Sequence, residues 1–234
     1  MRNRSSLLFP RLSLVRVGWL LVVLLVFSGA PAGELRADEL EEGFTDAVRE
    51  RLLKEHRKGL ESVDRDAEEF IGEAMQAAEA SDDNHDGVAA GREMLGLLGL
   101  PRLPLAEPED LDQALEGRWR VRSLQASAGG CIAYPFFQCT IQREARVLVF
   151  HKHTGSQRRF GVLVPDGEDR LLFEGSSYYG YEDGPRGYSA SLDEPTDEDR
   201  QRDSVGYFYR IGEQRYLGVF LRTPFGVELY EIRR

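Results

Sequence analysis

Cysteine is nearly absent from this chain, with only Cys131 and Cys139 among 234 residues. They form no Cys-x-x-Cys pair, so a dithiol redox centre is excluded. Positive charge is also short, because 30 Lys and Arg face 40 Asp and Glu for a net −10. Nucleic acid and anionic lipid both call for a basic surface, and neither fits as a partner. Long apolar runs are missing too: the longest, Val17 to Phe27, is close to half of the roughly 20 residues that a spanning helix needs. No proline stands between Asp38 and Ala80, which leaves that stretch free to be helical. No nucleophile elbow surrounds any serine, so a hydrolase has no recognisable motif.

The chain opens with Arg2, Arg4, Arg11 and Arg16 and no acid. The apolar run follows, and then the small residues Ser28-Gly29-Ala30-Pro31-Ala32-Gly33. Positive, apolar and small in that order is the pattern of a cleavable secretory signal over residues 1–32, with an uncleaved anchor as the alternative. Cleavage after Ala32 removes four bases and no acid, so the net charge moves from −10 to −14. The mature chain is expected to be periplasmic or extracellular, with no integral membrane domain.

Two styles of sequence follow. Over residues 38–100, Leu40, Phe44, Val48, Leu52, Val63, Ala67, Phe70, Ile71 and Ala74 recur at helical intervals, with one break near Gly59 to Asp64. A shorter helix runs from Arg92 to Leu98. Residues 101–115 read as a proline-spaced linker with a short helix opening at Pro108. From 116 to 234 the pattern changes to eight short β-runs, near 117–125, 135–142, 146–152, 159–165, 169–177, 204–211, 214–222 and 226–233. Tight links such as Gly212-Glu213 suit antiparallel hairpins. The expected fold is therefore α+β: amphipathic helices followed by a small antiparallel β-barrel or closed sandwich, lipocalin-like at most. Its opening Gly117-x-Trp119 makes Trp119 a candidate wall of a ligand cup or a plain core residue. The acid-rich stretch Asp193 to Asp203 reads as a long solvated loop.

Several side chains are chemical candidates. Asp82, Asn84, Asp86, Val88 (through its carbonyl) and Glu93 occupy positions 1, 3, 5, 7 and 12 of a calcium-loop pattern, with Gly87 at position 6. Calcium is thus the one candidate cofactor. Against it stand Ala89, Gly91 and the lack of a partner loop. An ordinary helix-linking turn would use the same residues. His151 and His153 share a strand face but have no third ligand nearby. Arg118, Arg120 and Arg122 form one strand face, and seven tyrosines from Tyr178 to Tyr216 supply aromatic surface with polar tips. In an exported chain Cys131 and Cys139, eight apart across a bend, are expected to pair as a disulfide.

The segments Tyr134-Pro135-Phe136-Phe137-x-Cys139-x-Ile141, Thr154-Gly155-Ser156-Gln157-Arg158 with Gly161, and Tyr209-Arg210-Ile211-Gly212 resemble the bacterial exported family called domain of unknown function 4893. The resemblance covers about residues 115–234 and, by general pattern, the helices from 40. It implies location and domain extent but no activity. Members of that family tend to carry a cysteine on the first strand, where this chain has Val121. Within the motif, Gln157 and Arg158 are candidate binding residues at the barrel rim, set against a structural role for the whole turn. The expected function is a non-catalytic binding or structural module of the envelope, with a small ligand or an envelope protein as partner. A hydrolase is the alternative, and converging bases and nucleophiles in one pocket would favour it.

Overall fold

The computed structural model describes residues 37–234 apart from Asp82, Asp83 and Arg146, and no side chain of residues 37–42, 108 or 109. The expected signal segment lies outside the described residues. Five helices come first: α1 (Ala37–Arg51), α2 (Lys54–Leu60), α3 (Val63–Glu79), α4 (His85–Leu98) and α5 (Pro108–Leu115). The strands are β1 (Gly117–Ser127), β2 (Gly130–Ala133), β3 (Phe137–Glu144), β4 (Val147–Lys152), β5 (Gln157–Pro165), β6 (Arg170–Tyr179), β7 (Asp203–Gly212), β8 (Arg215–Phe220) and β9 (Val227–Arg233). All pairings are antiparallel, and β9 returns to β1 along Arg120↔Arg233 to Ala126↔Val227. β1 and β3 to β9 thus close an eight-stranded up-and-down barrel, with β2 a short extra partner of β1. Closure removes the free edges that an open sheet would expose.

Register separates the two faces of the wall. Trp119, Val121, Cys139, Ile141, Leu148, Phe150, Leu163, Leu171, Phe173, Phe208, Tyr216, Phe220, Tyr230 and Ile232 point inward and form one apolar cluster, to which α5 adds Leu111 and Leu115. Phe150 faces Gly161 across β4–β5, and Phe173 faces Gly206 across β6–β7. A Cβ on Gly206 would lie 2.2 Å from the Val219 carbonyl oxygen, so the strands approach there more closely than any other residue permits. Trp119 donates from Nε1 to the Leu115 carbonyl at 2.7 Å, and α5 with it plugs this end of the barrel.

The outer wall is also apolar where the helices cover it. α3 turns Val63, Ala67, Ile71, Ala74 and Ala78 inward, and Leu124, Ala126 and Leu229 are buried on the outer face of the barrel. α1 docks beside β5 and β6 by polar contacts. Thr45 donates to the Pro165 carbonyl at 2.9 Å, Arg49 pairs with Asp166, and Arg51 grips Glu174 at 3.1 and 2.5 Å. Glu174 is 0% exposed, and burial raises its pKa while Arg51 opposes that rise.

Four expectations need correction. The disulfide is not formed, and both thiols are free and buried. Cys131 is registered with Ala126 and Cys139 with Trp119, seven residues apart along one edge of β1, or about 23 Å. A bridge needs Cα atoms within about 7 Å. The odd separation also puts Cys139 inside the barrel and Cys131 outside it, near Met75 and Gly91 of the helices. The stretch Asp193 to Asp203 is not all loop: α6 (Asp197–Arg202) is started by a Thr196–Asp199 capping box, which buries Asp199. An unexpected break at Leu52–Leu53 ends α1, where the Leu53 amide donates to the Tyr188 hydroxyl at 2.8 Å. The linker is structural, because Leu103 bridges Arg210 and the Leu105 amide donates to the Glu168 carbonyl at 2.8 Å.

Arg51→Ala leaves the buried Glu174 carboxylate without its partner and is expected to cost roughly 3 kcal/mol at pH 8. In the variant the folded Glu174 pKa lies above its unfolded value, so its protonated form is favoured by folding. The deficit therefore shrinks as pH falls toward 5. Denaturant titrations at pH 8 and pH 5 check this, and a deficit that is constant with pH would sink it.

Candidate functional site

The end of the barrel opposite α5 is lined differently. Register turns Ser123 and Gln125 of β1, Lys152 of β4, Gln157 and Arg159 of β5, Ser177 and Tyr179 of β6, Ser204 of β7 and Glu228 of β9 inward above the apolar cluster. A cavity of about 820 Å³ opens here and continues into the cleft beneath α2 and α3. Phe220 and Tyr230 form its floor beside Arg159, and Glu55, His56, Gly59 and Val63 line the helical side. Ile132 (52% exposed), Tyr179 (42%) and Phe225 (80%) stand at its mouth, and Tyr181 stacks on Tyr179 with ring centres 5.4 Å apart.

Three charges meet at the base. Arg159, 6% exposed, donates from Nη2 to Glu228 Oε2 at 2.6 Å, and its guanidinium lies 3.6 Å from the Phe220 ring centre and 4.6 Å from that of Tyr230. Its Nε and Nη1 have no hydrogen-bond partner among the described residues. Glu228 Oε1 accepts from Ser123 Oγ at 2.5 Å and Gln125 Nε2 at 3.1 Å. Burial alone would raise the Glu228 pKa, but Arg159 and these donors outweigh it and hold it below the usual range. Lys152, registered opposite Arg159, is buried, donates to the Gln157 carbonyl and faces the rings of Phe137 and Tyr230. Burial pushes its pKa down to about 8, Arg159 adds to that, and Glu228 opposes it. Two buried cations therefore stand near one carboxylate, and Arg159 is the one that pairs with it.

The expected site residues are distributed as follows. Gln157 lines the cavity, and its Oε1 accepts from Gln125 Nε2 at 2.8 Å. Arg158 lines the same cavity from the outer side of β5, donating from Nε to the Gly155 carbonyl at 3.1 Å. Trp119 sits in the plug at the opposite end. The calcium pattern is not wound as a loop beyond Asn84, because α4 begins at His85 and carries Asp86, Val88 and Glu93. Asn84 caps that helix by accepting from the Gly87 amide at 3.2 Å, and Glu93 pairs with Arg122, which also holds Glu231. Asp86 and Glu93 stand seven residues apart on a helix, about 10 Å along its axis, so the helix does not bring them together. Asp82 lies outside the described residues, among which no cluster of three or more His, Cys, Asp or Glu offers a metal site. His151 accepts or donates at 2.6 Å with the Tyr178 hydroxyl, and its ring packs on His153 and Phe160.

Arg159, Lys152 and Glu228 were not singled out from the sequence. Lys152 carried one signal, since it is the sole lysine of the β-region. A closed barrel with a plugged end and a polar, partly aromatic open end belongs to the class of small β-barrels able to hold a ligand. The family model described as domain of unknown function (DUF4893) matches residues 38–224. The chain belongs to that family, and the match takes in the helices as well as most of the barrel. No functionally curated protein matches it. Among solved structures, a de novo designed fluorescence-activating β-barrel aligns at 14% identity with a TM-score of 0.34, covering 53% of this chain and 97% of that one. At that score the alignment carries no argument.

Lys152 supplies a pH signature. Below about pH 8 it is charged in folded and unfolded chains alike, and the cost of burying that charge is complete. Between about 8 and 10.5 the folded chain has shed a proton that the unfolded chain still binds, so stability rises with pH, by at most roughly 3 kcal/mol. Lys152→Met is expected to lose that rise. Parallel stability curves for the two proteins between pH 7.5 and 9.5 would refute the assignment.

Proposed function

We propose that this chain is an exported, non-catalytic binding module that holds a small organic molecule at the open end of its barrel. One observation carries the proposal. Three of the large apolar side chains that stand exposed, Ile132, Tyr179 and Phe225, line the same cavity. Exposed apolar surface gathered at a concave site is the mark of a ligand or partner. A volume of about 820 Å³ falls in the range of small-molecule sites. The export part of the reading rests on the signal pattern of residues 1–32.

The hydrolase alternative finds the right residue types near the cavity but the wrong connections. Ser189 donates its hydroxyl to Asp203 at 2.5 Å, and His56 Nδ1 is 2.7 Å from the Tyr188 hydroxyl. A serine nucleophile needs the histidine as its own base, and here Ser189 is buried and bonded to the acid instead. Lys152 has a depressed pKa, but its ammonium is engaged by a backbone carbonyl on the barrel wall.

Titration with the neutral, environment-sensitive dye N-phenyl-1-naphthylamine tests the binding reading. Saturable binding of about one dye per chain is expected, weakened about tenfold in the double variant Ile132→Ser, Phe225→Ser, whose exposed positions leave the fold undisturbed. Absence of saturable binding, or equal affinity in the variant, would overturn it. Ester turnover abolished by Ser189→Ala would favour the hydrolase.

A further inference from the structure

The barrel base holds an uneven count of charge. Arg159 and Lys152 are both buried, and Glu228 is the acid that meets them there. Both Glu228 oxygens are already occupied, Oε1 by Ser123 and Gln125 and Oε2 by Arg159. Arg159, by contrast, has spent one of five N–H donors, and the three on Nε and Nη1 have no partner. Native proteins seldom leave buried donors unsatisfied, since each costs about 1–3 kcal/mol. A cationic ligand would find at most one acceptor site left on Glu228, on Oε2, and would meet two like charges. An anion that reaches the base would find free Arg159 donors and the local excess of Arg159 and Lys152 over Glu228, while Glu55, Asp66, Glu198 and Asp203 line other parts of the cavity. Charge-assisted hydrogen bonds are strongest when buried there.

Resting on the reading that this cavity binds a small molecule, we infer that the ligand is an organic anion. Its carboxylate docks on Arg159 beside Lys152, and its apolar body lies across Ile132, Tyr179 and Phe225. The guanidinium is held in place for this role. Phe220 and Tyr230 stack against it, and Glu228 fixes one nitrogen, so little side-chain freedom is lost when an anion arrives. Charge is thereby placed at depth and apolar surface at the mouth, which sets the direction in which the ligand enters.

The test uses two fluorescent probes of matched body, dansylated aminoundecanoic acid and its methyl ester, titrated into the whole chain. The acid is expected to bind at least tenfold more tightly than the ester. Arg159→Met should abolish that preference, bringing acid and ester to equal affinity. Glu228→Gln acts in the opposite sense, releasing Arg159 and tightening the acid several-fold, an outcome that a merely structural role for the cluster would not give. Melting temperatures of each variant with and without probe report folding, and Arg159→Lys and Lys152→Gln stand in for any variant that fails to fold. Equal affinity of acid and ester for the unaltered chain overturns the anion assignment while the binding reading stands. If neither probe binds, both fall. A preference for the acid that survives Arg159→Met and Lys152→Gln in folded protein places the anion elsewhere and overturns the inference.

Discussion

Everything in this molecule depends on the pairing of β9 with β1. Seven registered pairs from Arg120↔Arg233 to Ala126↔Val227 turn a sheet into a barrel, and only then do alternate residues of eight strands face one enclosed space. That space is narrow enough that each inward position must be filled, satisfied by a hydrogen bond or left open. The chain uses all three solutions along one axis. Phenylalanines set against glycines fill the α5 end, the Ser123–Gln125–Glu228–Arg159 network occupies the middle, and the mouth is open.

The two kinds of outer contact divide stability from the site. α3 and α4 cover the β1 and β2 wall with apolar surface, while α1 and the residue after it bury Val48 and Leu52 and add ion pairs to Asp166 and Glu174. A buried carboxylate such as Glu174 contributes little net stability with its partner and removes several kcal/mol without it. Its value lies in specifying where α1 docks. α2 and α3 in turn form one side of the cleft that continues the cavity, so the helices are part of the site and not an appendage to the barrel. The family match over residues 38–224 spans the same combination.

The short β2 was missed, but the eight barrel strands and their approximate limits were legible because turns such as Gly212-Glu213 and the β-branched runs between them punctuate the chain. The direction in which each side chain points was not. β5 reads Arg158-Arg159-Phe160-Gly161-Val162-Leu163-Val164, apolar on both faces, because the outer wall is covered by helices and the inner wall is core. Period-two alternation disappears in a strand buried on both sides. Arg158 and Arg159 are then indistinguishable by sequence, and the choice of Arg158 selected the outward neighbour. Cys139 is different, because β3 alternates and points it inward, whereas Cys131 lies on the four-residue β2, which is too short to show any period.

The turn motif that carries the family resemblance shows how a recognisable segment can serve a site without supplying its chemistry. Gly155 adopts a positive φ of 87° and its carbonyl accepts from Arg158, while the Thr154 hydroxyl accepts from the Gln138 amide at 2.7 Å. The Ser156 carbonyl accepts from the Gly180 amide at 2.8 Å, tying the β4–β5 turn to the end of β6. These bonds hold β5 in a single register. A slip of one residue would turn Arg159 out to the surface and bring Arg158 inside. The turn therefore acts on the cavity through geometry: it decides which of two adjacent arginines faces Glu228, and because both carry the same charge it sets where that cation stands and how it is held, not its sign.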